Sequence, residues 1–148
     1  MRLTKDRLRH SIGVARMMQS IVQKVPHHFQ CSPEESFYLG LLHDTAYEFV
    51  EDVTTHEHVG GELLHNLGYK YWREVFYHGD PDADYNSNEL WLLNYADMVV
   101  GPHGESMTIT ERVNDIMRRY GNDSIQYSKA CRLAQMIEEK FALFTDEK

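Results

Sequence analysis

His10, the adjacent pair His43-Asp44, and Asp97 are the residues whose types and settings bear most directly on chemistry. The pair closes an almost wholly apolar run, YLGLLHDTAYEF, at residues 38–49. An ionised carboxylate removed from water is strongly destabilising unless a partner offsets the lost hydration. Phe37, Gly40 and Leu41 lie one and two turns before Asp44, and Asp97 repeats the pattern within LWLLNYAD, with Leu90, Leu93 and Asn94 on its face. Neither segment contains a lysine or arginine. A tertiary arginine could satisfy each aspartate separately. A shared cation, ligated by neutral histidines, resolves both burial problems together and is the preferred reading.

His10 shares a helical stripe with Gly13, Val14, Met17 and Ile21, which marks the core-facing side. By itself, such a position reads as a core histidine hydrogen-bonded to a carbonyl. The nine histidines are nevertheless the compositional outlier of the chain. His27, His28, His56 and His103 sit in polar or turn-like surroundings and read as solvated.

The elements that must position these residues are helices. The first is expected from Thr4 to Lys24, with apolar positions Ile12, Val14, Met17, Met18, Ile21 and Val25, broken at Pro26. Ser32 and Glu35 form a capping box for the second, which continues through His43-Asp44. A third is expected from Thr54 or Thr55 to Gly68, and a short one at 69–78. Asn86 with Glu89 opens a fifth, closed by Gly101-Pro102. Thr108 with Glu111 opens a sixth, and Asp123 with Gln126 a last one reaching about Phe144. No period-2 strand, repeat or low-complexity segment interrupts the pattern. The expectation is a single all-α domain over residues 1–148, a compact bundle of about six to seven helices.

With 148 residues, 42% hydrophobic and 26% charged, the chain has ordinary globular composition. The charged N-terminus lacks a signal-peptide core, no apolar run suits a membrane span, and Cys31 and Cys131 form no CxxC. Cytoplasmic residence is the expectation. A net charge of −8 disfavours a nucleic-acid polymer as partner but admits a small phosphorylated substrate, because bound metal reverses the local field.

The order His10, His43-Asp44, Asp97 resembles the H…HD…D signature of the HD superfamily of metal-dependent phosphohydrolases. RHSIGVARMM is similar to that family's opening helix, LGLLHDTAYEF to its HD helix, HVGGELLHNLG to the segment that often supplies a further histidine, and NYADMVVG to its closing aspartate helix. The match spans roughly residues 8–101. The resemblance implies the HD fold, with His10, His43, Asp44 and Asp97 ligating one metal. It further implies a second metal in some members, bridged by Asp44 and completed by His58 and His78. His78 follows the aromatic run VFYH, as does the corresponding histidine of bacterial HD enzymes that split symmetrical diadenosine tetraphosphate. His65, seven residues after His58, is the rival in that helix.

Two positions depart from the family pattern: Tyr47, followed by Glu48, stands where many members carry Lys or Glu, and His78-Gly79 replaces a His-His pair. Mixed N/O ligation suits Fe or Mn, with Co, Ni, Zn or Mg as substitutes. One or two such ions would acidify water and draw charge from a phosphoryl oxygen, hydrolysing a nucleotide or other small phosphorylated metabolite. Asp44 would be a bridging or terminal ligand, and Asp97 a ligand that orients the water. Arg7, one turn before His10, is the candidate phosphate contact. The alternatives are a mixed-valence di-iron oxygenase and a non-catalytic regulatory metal domain. A homodimer is left open.

Overall fold

The computed structural model describes residues 5–44 and 56–145. Their regular structure is seven α-helices and one 3-10 turn, Pro26–His28, with no strand among the described residues beyond an isolated Val100–Ser106 bridge. The helices are α1 (Lys5–Lys24), α2 (Pro33–Leu42), α3 (His56–Asn66), α4 (Trp72–Tyr77), α5 (Asn88–Val99), α6 (Ile109–Tyr120) and α7 (Ile125–Thr145). The fold is all-α.

α1 buries His10, Val14, Met18 and Val22 along one i, i+4 row and Ser11 with Ala15 beside it. Ile12, Met17, Ile21 and Val25 are only partly buried, so the contact face is rotated from the one the large apolar residues suggest. The small pair Ser11 and Ala15 explains the rotation. A Cβ on Gly40 of α2 would lie 2.7 Å from the Ala15 Cα, so the two backbones cross almost in contact. That crossing brings the end of α2 beside His10.

α2 starts at a capping box: the Glu35 N–H donates to Ser32 Oγ at 3.0 Å, and the Ser32 N–H donates to Glu35 Oε1 at 2.9 Å. The helix ends at Leu42, with His43 as its cap in helical conformation, rather than running on through Asp44. The expected start of α3 at Thr54 or Thr55 lies outside the described residues. Its end is a Schellman motif, in which Tyr69 N–H donates to Leu64 O and Gly68 N–H to His65 O.

Two helix starts differ from expectation. Ser87, not Asn86, caps α5 by accepting the Leu90 N–H, while Glu89 turns away to accept from the Gln30 and Cys31 N–H groups. The Asn86 oxygen instead accepts the Trp91 indole N–H. At α7, Ser124 Oγ rather than Asp123 accepts the first-turn N–H, from Tyr127. Thr108 and Glu111 cap α6 as a box.

α5 is the central element. Leu92, Leu93 and Ala96 pack with Val14, Met18, Leu39 and Val75, while Trp91 and Met98 face Leu133, Ala134 and Ile137 of α7. Each fully buried leucine contributes about 1.5–3 kcal/mol. A helix apolar on both sides leaves its polar residues, Asn94 and Asp97, among the packed helices.

Gly40→Ala is expected to lower stability. Overpacking costs about 1–3 kcal/mol, against a gain of about 1 kcal/mol for alanine over glycine in a helix interior. The atoms met are backbone, which cannot rotate aside. Urea denaturation checks this: the midpoint should fall, and an unchanged or higher midpoint would contradict the close crossing.

Candidate metal centre

Three histidines converge on two aspartates where α1, α2, α4 and α5 meet. His10 comes from the middle of α1, His43 from the cap of α2, His78 from the cap of α4, and Asp97 from the last turn of α5. His10 Nε2 lies 2.8 Å from Asp97 Oδ1 and 3.8 Å from Asp44 Oδ2. His43 Nε2 is 3.2 Å from Asp44 Oδ2 and 3.3 Å from Asp97 Oδ1. His78 Nε2 is 3.9 Å from Asp44 Oδ1. The His43 ring centre stands 5.4 Å from that of His10 and 5.3 Å from that of His78.

The other ring nitrogens determine what these can do. His10 Nδ1 donates to Gly101 O at 3.0 Å, His43 Nδ1 to Gly40 O at 2.6 Å, and His78 Nδ1 to Val75 O at 2.5 Å. A carbonyl oxygen only accepts, so each Nδ1 must carry a hydrogen. In the neutral ring, each Nε2 is then a lone pair aimed at the carboxylates. Lone pairs and carboxylates repel unless a proton or a metal ion lies between them. Orientation of a ligating imidazole by a backbone carbonyl is the usual support for metal binding. Among the described residues, two groups of donor atoms are close enough to share an ion: His10, His43 and Asp44, and His43, His78 and Asp97. Three imidazoles and two carboxylates fit a divalent ion.

Without metal, protons take its place. Burial pushes the His10 ring down, but the Asp97 hydrogen bond and charge, with help from Asp44, raise it above its ordinary value. Burial likewise opposes a charged His43, yet Asp44 and Asp97 hold that ring well above its usual value. Desolvation pushes the Asp97 carboxyl up, and the hydrogen bonds and charges of His10 and His43 more than reverse it, to well below the carboxylate range.

His58 and His65 lie outside this cluster. His58, expected at a second metal, has an exposed ring stacked on Phe76 at 4.5 Å and belongs to neither donor group. α3 and α4 pack closely at Gly61, where an added Cβ would lie 2.6 Å from the Phe76 Cα, and this seats His58 against that ring one turn earlier. His65 is likewise exposed, stacked on Trp72 at 4.0 Å. Arg7 is part-buried on α1. His103 is a surface residue whose Nδ1 lies 3.0 Å from Asp6. Tyr47 and Glu48 fall outside the described residues. Residue types alone gave no sign of the three carbonyls that orient the rings, because they belong to the backbone.

These shifts set a pH dependence. The raised histidines stabilise the metal-free protein fully below their unfolded value of about 6.5, and this is lost as pH rises through their folded values. The depressed Asp97 stabilises it above about 3.8, and this is lost as pH falls through its folded value. The chelator-treated protein should therefore melt at progressively lower temperature as pH is raised above about 6.5. Metal must displace the same protons, so its stabilisation, about 2.7 kcal/mol at a hundredfold excess over Kd, should grow over that range. Melting curves with and without added Mn2+ check both trends. Parallel curves would contradict the cluster's role.

No curated protein and no solved structure gives a significant match to the chain. A family model does, the HD domain, over residues 7–134, an interval that holds all five residues of the cluster. The chain therefore belongs to the HD domain family.

Proposed function

We propose that the chain hydrolyses a phosphate ester or anhydride of a nucleotide or other small phosphorylated metabolite, with one or two metal ions held by His10, His43, Asp44, His78 and Asp97. One observation carries this reading: three carbonyl-oriented imidazoles face two largely buried carboxylates in a chain of the HD family. A bound ion supplies Lewis acidity toward water and toward a phosphoryl oxygen. Mixed N/O donors favour Fe or Mn, with Co, Ni, Zn or Mg as substitutes.

The protein's own groups divide the remaining work. Asp44 turns Oδ2 toward His10 and His43 and Oδ1 toward His78, so its carboxylate can serve two neighbouring positions. The side chains of His43, His78, Asp44 and His10 are 0–9% exposed, whereas that of Asp97 is 26% exposed. Asp97 thus marks the open side, from which substrate and water enter, and its free carboxylate edge orients the attacking water. Two carboxylates repel a phosphate, so substrate binding depends on the metal being present. Arg7, one turn before His10 on α1, is the proposed phosphate contact.

Metal-replete protein incubated anaerobically with nucleotides and sugar phosphates should release phosphate, and Asp44→Ala should reduce release to background. Arg7→Ala should raise KM with little change in kcat. A metal-loaded, folded protein that turns over no member of such a panel would overturn the hydrolase reading in favour of a regulatory metal domain.

A further inference from the structure

The mechanism leaves Asn94, a buried polar residue of α5, unused. Asn94 is 2% exposed and lies three residues before Asp97, one turn back on the same helix. Its Oδ1 accepts the N–H of Gly79, the residue after His78, at 2.8 Å. We propose that Asn94 is the positioning residue for His78, fixing the end of α4 to the helix that carries Asp97. The inference rests on the metal-centre reading above.

The geometry separates two jobs. The bond from His78 Nδ1 to Val75 O fixes the ring relative to α4, because both groups belong to that helix and its cap. It does not fix α4 relative to Asp97. The bond from Gly79 to Asn94 does, because Asn94 and Asp97 share α5 at a separation of about 4.5 Å along its axis. The backbone reverses at this point. His78 has extended φ and ψ of −63° and 144°, and Gly79 follows at φ +79°. Nothing lies within 4 Å of a Cβ built on Gly79, so the glycine serves the turn's conformation rather than a lack of space. That turn presents the Gly79 N–H to α5 and sends the His78 ring toward Asp44.

The side chain at 94 must therefore supply an acceptor at a fixed depth. Leucine has similar bulk and no acceptor, while aspartate restores one. The test uses Co2+ alone as probe, with NMR of 15N-labelled histidine and amide exchange on the full chain. Asn94→Leu should weaken Co2+ binding by about 10- to 100-fold, the range for lost outer support of a ligand. It should also shift the His78 ring signals while leaving those of His10, held by Gly101, in place. Asn94→Asp should recover most of the Co2+ affinity. Unchanged affinity and unchanged His78 signals in Asn94→Leu would overturn the proposal. So would equal displacement of His10, which would show general loosening. If Asn94→Leu does not fold, amide exchange in the unmodified protein decides: a protected Gly79 N–H supports the clamp, and a freely exchanging one overturns it. Absence of Co2+ binding by the unmodified chain would instead defeat the metal-centre reading, while the ring signals and the exchange still judge the clamp.

Discussion

Two largely buried carboxylates, facing three imidazoles whose Nδ1 hydrogens are already committed to backbone carbonyls, form the constraint around which this fold is organised. The rings cannot turn to offer their N–H groups to the aspartates without abandoning buried carbonyls. Something positive must therefore occupy the space between Nε2 and carboxylate, and only a proton or a metal ion is small enough.

The rest of the structure holds that arrangement in register. The glycine-to-alanine crossing of α1 and α2 brings His43 beside His10, and the Gly40 carbonyl at that crossing accepts from His43 itself. After α5 the chain turns back through residues 101–107. Gly101 N–H donates to Glu105 O, and Gly104 packs against the Arg9 carbonyl, so the Gly101 oxygen is held for His10. α5 joins both apolar clusters and carries Asp97, so movement of that aspartate would disturb most of the core. Stability and ligand geometry therefore rest on the same contacts.

Much of this was legible in the sequence, for physical reasons. Helical periodicity and capping boxes at Ser32 and Thr108 are local signals, and local signals give an all-α fold. His10, His43, Asp44 and Asp97 stood out because each sits in apolar surroundings that a charged or polar group enters only with compensation. What was not legible depends on tertiary contact. Asn86 and Asp123 are good caps by type, but Asn86 bonds Trp91, and Ser87 and Ser124 hold the capping positions. The buried face of α1 follows its small residues, which a count of large apolar side chains overlooks. His58 and His78 look equivalent in sequence, yet one is exposed and stacked flat on Phe76 and the other caps a helix pointing inward. The importance of Asn94 could not be read at all, since its partner is a backbone N–H fifteen residues away.

The most direct measurement is the metal content per chain of protein loaded with Mn2+ or Fe2+ and freed of excess, determined by elemental analysis for the unmodified chain and for Asp44→Ala. If Asp44 joins the three histidines around a cation, the unmodified chain retains at least one ion and the variant loses it while keeping its helices. Full occupancy in Asp44→Ala, or a folded unmodified chain that retains no metal, would contradict a metal centre built on these residues.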